Sequence, residues 1–238
     1  MRKALCRSLG DENMPRLFTY TIPIDDGAAP NPFDGMCSLA ICKPSIRRVA
    51  KEGDWVAGLG SVRAPGGNRY GQLVYAMRVD EVISMEEYDR FALERWPYRI
   101  PNIDSTNVKE RLGDCIYNFS SGMPEQRRGV HDGGNQKTDL GGLKVLLSWH
   151  FYYFGNKAMP LPENLVGICH QGQGHKSNAN APFFQSFVDW IEERKWIPTH
   201  LYGQPDFQFD WSDNDQRCIS CRIREKDGQS DLDLVPVC

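Results

Sequence analysis

No stretch of this chain approaches the roughly 20 consecutive apolar residues that a bilayer-spanning helix needs. The longest candidate, 145–154, is broken by Ser148 and His150. The N-terminus offers Arg2, Lys3 and Arg7 with no apolar core behind them, so no secretory signal is read there and a cytoplasmic location is expected. An excess of positive charge is missing too: 28 Lys and Arg against 31 Asp and Glu leave a net charge of −3. Proteins that coat nucleic acid through many phosphate contacts are usually basic. The balance fits a free nucleotide, or a brief local grip on DNA, better than tight coating. Familiar nucleotide and hydrolase machinery is also missing. There is no Walker A loop, no GxGxxG turn and no GxSxG elbow, which argues against a P-loop kinase, a typical dehydrogenase and an α/β-hydrolase. The H-x-E…P-C-x-x-C pattern of zinc deaminases does not occur.

Cysteine is not scarce, with eight in the chain, but its pattern is incomplete. Without a secretory signal, disulfides are not expected. Cys218 and Cys221 form one C-x-x-C knuckle, whereas a structural zinc site commonly takes two, and no second is present. No metal site is therefore assigned; Cys218 and Cys221, helped by Cys238 or a His, are the weak candidates. Cys37 and Cys42 flank an apolar segment, where reduced buried thiols are common.

What is present is 238 residues, 40% hydrophobic and 25% charged, enough to bury a substantial core. The densest information lies between Tyr20 and Gly60. An apolar strand (17–24) runs into Asp25 and Asp26, then into a turn rich in Gly, Ala, Pro and Asn that includes Asn31. Pro44 suits the first turn of a helix carrying Lys43, Arg47 and Arg48 near its start, and Gly53 is placed to end it. Strands 54–62 and 72–80 flank a Gly/Pro turn and should pair as a hairpin. Ser84 to Glu87 reads as a capping box opening a helix to about Trp96. A second Gly-Asp strand start is expected at Gly113, one apolar strand over 144–154, a short one over 165–169, and a helix from Ala181 to about Trp196. The fold class expected is α+β: a compact domain around a strongly bent, mostly antiparallel sheet or PUA-like barrel with a few flanking helices. Residues 1–15 are expected to be a loose extension, 16–205 the domain, and 206–238 a polar C-terminal segment.

The phrases APNPFDGMCSLAICKPSIR and GDWVAGLGS resemble the nucleotide modification associated domain 2 family of phages and bacteria. VLLSWHFYYFG (145–155) and GQGHK (172–176) agree with it, in order, so the resemblance runs from about Leu17 to Pro205. It implies an association with hypermodified bases in DNA, and it implies no particular reaction. The expected partners are a nucleotide or a modified base in DNA, and other proteins of a DNA-modification pathway. No cofactor is named.

Two functions remain open. One is an enzyme acting on a modified nucleobase or nucleotide; the other is a non-catalytic, PUA-like reader of modified bases. For the enzyme, Asp26 and His175 are the candidate acid/base residues, with His131 of the long polar loop 120–142 next. Lys43 and Arg47, one helical turn apart, would clamp a phosphate; the ordinary alternative is a solvated face. Trp55 and Phe154 would stack on a base, although strand aromatics are more often core. Asp25, Asn31, Gly172, Gly174 and Lys176 complete the expected ligand-binding set, the glycines because they let backbone approach a ligand closely.

Overall fold

The computed structural model describes residues 14–206, apart from Gln171 and Gln173. The Cys218–Cys221 knuckle and the C-terminal segment from 207 lie outside the described residues.

Strand β1 (Leu17–Ile22) pairs in parallel with β3 (Trp55–Gly60). A parallel pair requires a crossover, and this one contains β2 (Cys37–Leu39) and helix α1 (Pro44–Val49). The expected hairpin is present: β3 runs antiparallel to β4 (Gln72–Arg78). On its other side β4 meets β9 (His150–Tyr153), which pairs in parallel with β11 (His200–Leu201), while β10 (Met159–Pro160) joins the start of β4. A second sheet has the order β2, β8 (Lys144–Ser148), β5 (Glu81–Ser84). A small ribbon joins β6 (Tyr117–Asn118) to β7 (Glu125–Gln126).

The two sheets share their strands. β4 continues into β5, and its partner β8 into β9, so one long antiparallel pair bends from one sheet into the other. The 144–154 run expected as one strand therefore breaks at Trp149. Ser148 Oγ donates to His150 O at 2.9 Å and accepts from His150 N at 3.1 Å. Across the corner, Asp80 N donates to Leu147 O at 2.9 Å and an Asp80 carboxylate oxygen accepts from Trp149 N at 2.7 Å. These side chains replace the ladder bonds that a bend must give up. Of the two forms expected, the described strands make the bent sheet and no closed barrel.

Two further expectations are corrected. Residues 163–168 form a 3-10 helix, not a strand. Leu165 and Ile168, three apart, are both buried, which is the period of that helix. Gly113 does not open a strand; a Cβ there would lie 2.5 Å from Pro101 N, so the glycine serves close packing of two backbones. What the two Gly-Asp pairs share is a buried aspartate. Asp54 accepts from the N–H groups of Arg16 and Lys51, and Asp114 from Ser38 Oγ and Tyr88 OH.

Strand alternation divides the core. Phe18, Tyr20, Tyr75, Phe151 and Tyr153 fill one side of the larger sheet. Leu17, Trp55, Leu73 and Phe154 fill the other, against Phe187 and Ile191 of α5 (Phe184–Glu193). A third cluster joins β8 to α2 (Met85–Arg95), whose capping box Ser84–Glu87 is formed as expected. Between these layers Arg99, 1% exposed, donates to the carbonyls of Asn31, Phe33 and Met36. It thereby pins the Pro/Asn-rich turn that leads from β1 to β2.

Candidate active site

After β2 the chain turns sharply. Cys42 and Lys43 both adopt left-handed backbone, with φ of 57° and 42°, before Pro44 opens α1. Consecutive non-glycine residues in that region are costly and persist only where the surroundings over-determine them. Two groups do so here. Asp139 Oδ1 accepts from Cys42 N at 2.9 Å, and Arg47 Nε donates to Cys42 O at 2.7 Å. Arg47 also donates to Asp139 O at 2.5 Å and to Lys144 O at 2.9 Å. Its guanidinium occupies the space beside Gly142, where a Cβ would fall 2.3 Å from Arg47 Cζ.

Asp139 lies on the short helix α4 (Gln136–Leu140), which follows a turn capped by Asp132. Its carboxylate faces His131, whose Nδ1 lies 2.6 Å from Oδ2; Tyr117 OH donates to the same oxygen at 3.1 Å. The other ring nitrogen, Nε2, is 3.4 Å from Cys42 Sγ. Gln126 fixes the His131 backbone by donating to its carbonyl at 2.8 Å. Thiol, imidazole and carboxylate thus form one connected cluster, 7%, 4% and 0% exposed. Burial alone pushes the imidazole down, but Asp139 and the Cys42 sulfur outweigh it and hold His131 well above its ordinary value. An imidazolium beside a sulfur favours the nucleophilic thiolate.

The ligand atoms of these three residues also lie within 4.8 Å of one another, close enough to consider a metal ion. The hydrogen bonds present join the three residues as a relay. Cys42 and Asp139 address opposite nitrogens of one imidazole, so an ion bound between Sγ and Nε2 would leave Asp139 as a hydrogen-bonding support.

Cys42 lines a small surface cleft of about 20 Å³, whose walls include Tyr20, Thr21, Asp26, Lys43 and His131. Asp26, Lys43 and His131, expected from sequence as site residues, therefore meet at one place. Asp26 accepts from Ala28 N at 3.0 Å, and Lys43 Nζ lies 4.7 Å from the Tyr20 ring centre. Asp25 sits behind the wall, accepting from Tyr153 OH at 2.5 Å. Burial raises its pKa to about 7; Asp26 and Asp206 add to the rise and the Tyr153 bond opposes it.

The other expected site residues are placed differently. Arg47 is no phosphate clamp, because its guanidinium is fully buried on three backbone carbonyls. Trp55 lies edge-on to Phe187 and His150, and Phe154 packs on Trp196 and Tyr202; both are core, with no face left for a base. Asn31 ties its loop to Leu112 O, and Lys176 Nζ donates to Gly167 O. Gly172 and Gly174 have φ of 96° and 89°, as such turns require. His175 is outside the pocket wall, its ring 5.7 Å from that of Phe18. The carboxylate–imidazole pair of this site is Asp139–His131, not Asp26–His175.

The family model for nucleotide modification associated domain 2 matches residues 14–214. The chain belongs to that family. No curated protein and no solved structure matches it. The description fits a nucleotide or base as partner, and among the described residues of this nucleotide modification associated domain no helix is long and apolar enough to cross a membrane.

Two residues escaped the sequence reading. Cys42 had the look of an ordinary buried thiol, and Asp139 was one charge in a long polar loop. The available signals were Cys-Lys-Pro at a helix start and a His eight residues before an Asp.

Proposed function

We propose that the chain is an enzyme of nucleotide modification in which Cys42 is the nucleophile, acting on a base or nucleotide held in the Asp26–Lys43 pocket. The observation that carries this reading is the hydrogen-bonded cluster of Cys42, His131 and Asp139, of which Cys42 and His131 line that pocket. A reader of bases needs aromatic faces, and Trp55 and Phe154 have none free.

The chemistry follows from the order of the groups. Cys42 passes its proton to His131 Nε2, while Asp139 holds Nδ1 and steadies the imidazolium. The thiolate attacks an acyl-type carbon, C=O or C=N, of the base or of the group being attached. A C–S bond forms and the π electrons move to the heteroatom. Their return breaks the bond to the leaving group, which takes the proton from Nε2. Water or an amine then attacks the thioester-like carbon, gives its proton back through His131, and frees the thiol. Asp26, a carboxylate in the wall, is suited to accept N–H groups of the substrate.

The test uses the full chain, with Cys42→Ser and His131→Asn variants. Iodoacetamide labelling followed by peptide mass spectrometry should show Cys42 alkylated at pH 6.5, where an ordinary thiol of pKa about 8.5 is nearly inert. His131→Asn should slow this labelling about tenfold or more. Nucleosides from DNA of cells expressing each form should differ between wild type and Cys42→Ser. Equal labelling with and without His131, together with identical nucleoside profiles, sinks the reading.

A further inference from the structure

We propose that Lys43 and His175 form an anion subsite at the edge of this pocket, and that it takes the phosphate of a nucleotide whose reactive part reaches Cys42. The proposal rests on the Cys42 reading and adds what the substrate must carry.

The placement comes from β1. Alternation puts Phe18 and Tyr20 on one face, roughly 7 Å apart along the strand. Lys43 Nζ lies 4.7 Å from the Tyr20 ring centre, and the His175 ring lies 5.7 Å from that of Phe18. Two basic side chains therefore cover neighbouring rings of the strand that walls the pocket. Both are held there by backbone. Lys43 follows Cys42 at the start of α1. On the other side, Thr19 and Lys176 exchange both main-chain hydrogen bonds, at 2.9 and 2.8 Å. Thr21, itself in the pocket wall, donates from Oγ1 to His170 O at 2.5 Å. The segment bearing His175 is thus fastened along the edge of β1 that does not face β3.

The charged neighbours that act on His175 are basic. Burial lowers the proton affinity of His175, and Lys43, His170 and Arg16, all basic, lower it further. Arg16 pairs with Asp54 at 3.0 Å. Basic groups placed along one strand edge beside a pocket add to a positive potential there, which an anion relieves. Lysine is a common phosphate ligand acting as a point charge. The wall itself adds an opposite requirement: Asp26 faces the same space and repels a second anionic group deeper in. One phosphate at the rim and a neutral, hydrogen-bonding base inside satisfy both. With a net charge of −3 over the chain, a single phosphate ester is a better match than a long phosphate backbone.

The measurement is protection of Cys42 in the full chain from iodoacetamide, read at its own peptide by mass spectrometry. The four 2′-deoxynucleosides, their 5′-monophosphates and a short single-stranded oligonucleotide are the protecting agents. At least one monophosphate should protect at a concentration ten or more times lower than its nucleoside. Lys43→Met should cut that advantage about tenfold and His175→Gln severalfold, while Lys43→Arg keeps most of it. Inorganic phosphate should compete with the monophosphate and not with the nucleoside. If the oligonucleotide protects at the lowest concentration of all, with the same dependence on Lys43, the phosphate is that of a polymer and the subsite stands. Equal protection by nucleoside and monophosphate overturns the subsite, as does an advantage that survives Lys43→Met in a variant whose thermal melting is unchanged. So does no protection by any of them at millimolar concentration. None of these failures touches the dependence of Cys42 labelling on His131, so the loss of the subsite and the loss of the nucleophile are told apart.

Discussion

Asp139 is joined to Cys42 twice. One carboxylate oxygen accepts the Cys42 backbone N–H directly, at 2.9 Å, and the other reaches the Cys42 sulfur through His131, at 2.6 and then 3.4 Å. The carboxylate that orients the imidazole also sets the backbone from which the thiol projects. Losing it should therefore damage both parts of the relay together.

Asp139→Asn tests this. The amide still offers one acceptor, but it places an NH₂ group against Cys42 N or against His131, where a donor meets a donor. Labelling of Cys42 at pH 6.5 should fall by at least a hundredfold, more than for His131→Asn. A fall equal to or smaller than that of His131→Asn would mean that Asp139 acts on the imidazole alone.

Gly142→Ala should act from a distance. Its new Cβ would overlap Arg47 Cζ, at 2.3 Å, and force the guanidinium off the carbonyls of Cys42 and Asp139. Overpacking costs about 1–3 kcal/mol, and buried carbonyls left unsatisfied cost about as much again. Denaturant melts should show roughly 2–6 kcal/mol of lost stability, and Cys42 labelling of the folded fraction should slow. A variant as stable as wild type would show that Arg47 has another place to go.

The visible parts of this protein in its sequence were those fixed by neighbours along the chain. The Ser84–Glu87 box and the β3–β4 hairpin are local patterns, and each is found where it was expected. The corner at Trp149 was not legible, because it depends in part on Asp80, in the link between β4 and β5. The site divides in the same way. Asp26, Lys43 and His131 stand in polar turns that advertise themselves. Cys42 and Asp139 become a unit only across a separation of 97 residues. Arg47 misled for the same reason: its acceptors at 139 and 144 lie far along the chain, so the residue looked like a free cation.

Asp25 carries a pH prediction. Its folded pKa, raised to about 7, exceeds the ordinary unfolded value of about 3.9. The folded state then binds the proton more tightly, so this group's contribution is most favourable below about pH 4 and is lost as pH rises towards 7. At about 1.4 kcal/mol per unit over some three units, the loss is of order 4 kcal/mol. Asp25→Asn keeps an acceptor for Tyr153 OH and cannot ionise. It should match wild type near pH 4 and melt higher at pH 8; wild type melting higher at pH 8 contradicts the assignment.

Trp55→Ala and Phe154→Ala should behave as core lesions, each costing about 3–5 kcal/mol. Nucleotide protection of Cys42, measured on the folded fraction, should not change. Weaker protection at full folding would return these rings to the binding surface.

The shared bend of the two sheets has one more result. The pocket wall from Tyr20 to Asp26 extends from the larger sheet, whereas Cys42 follows the end of β2 in the smaller one. The corner where Asp80 holds Trp149 joins these two sheets, and neither of those residues lines the pocket. A chain built this way can admit a bulkier substrate by resetting a joint, leaving every residue that meets the substrate unchanged.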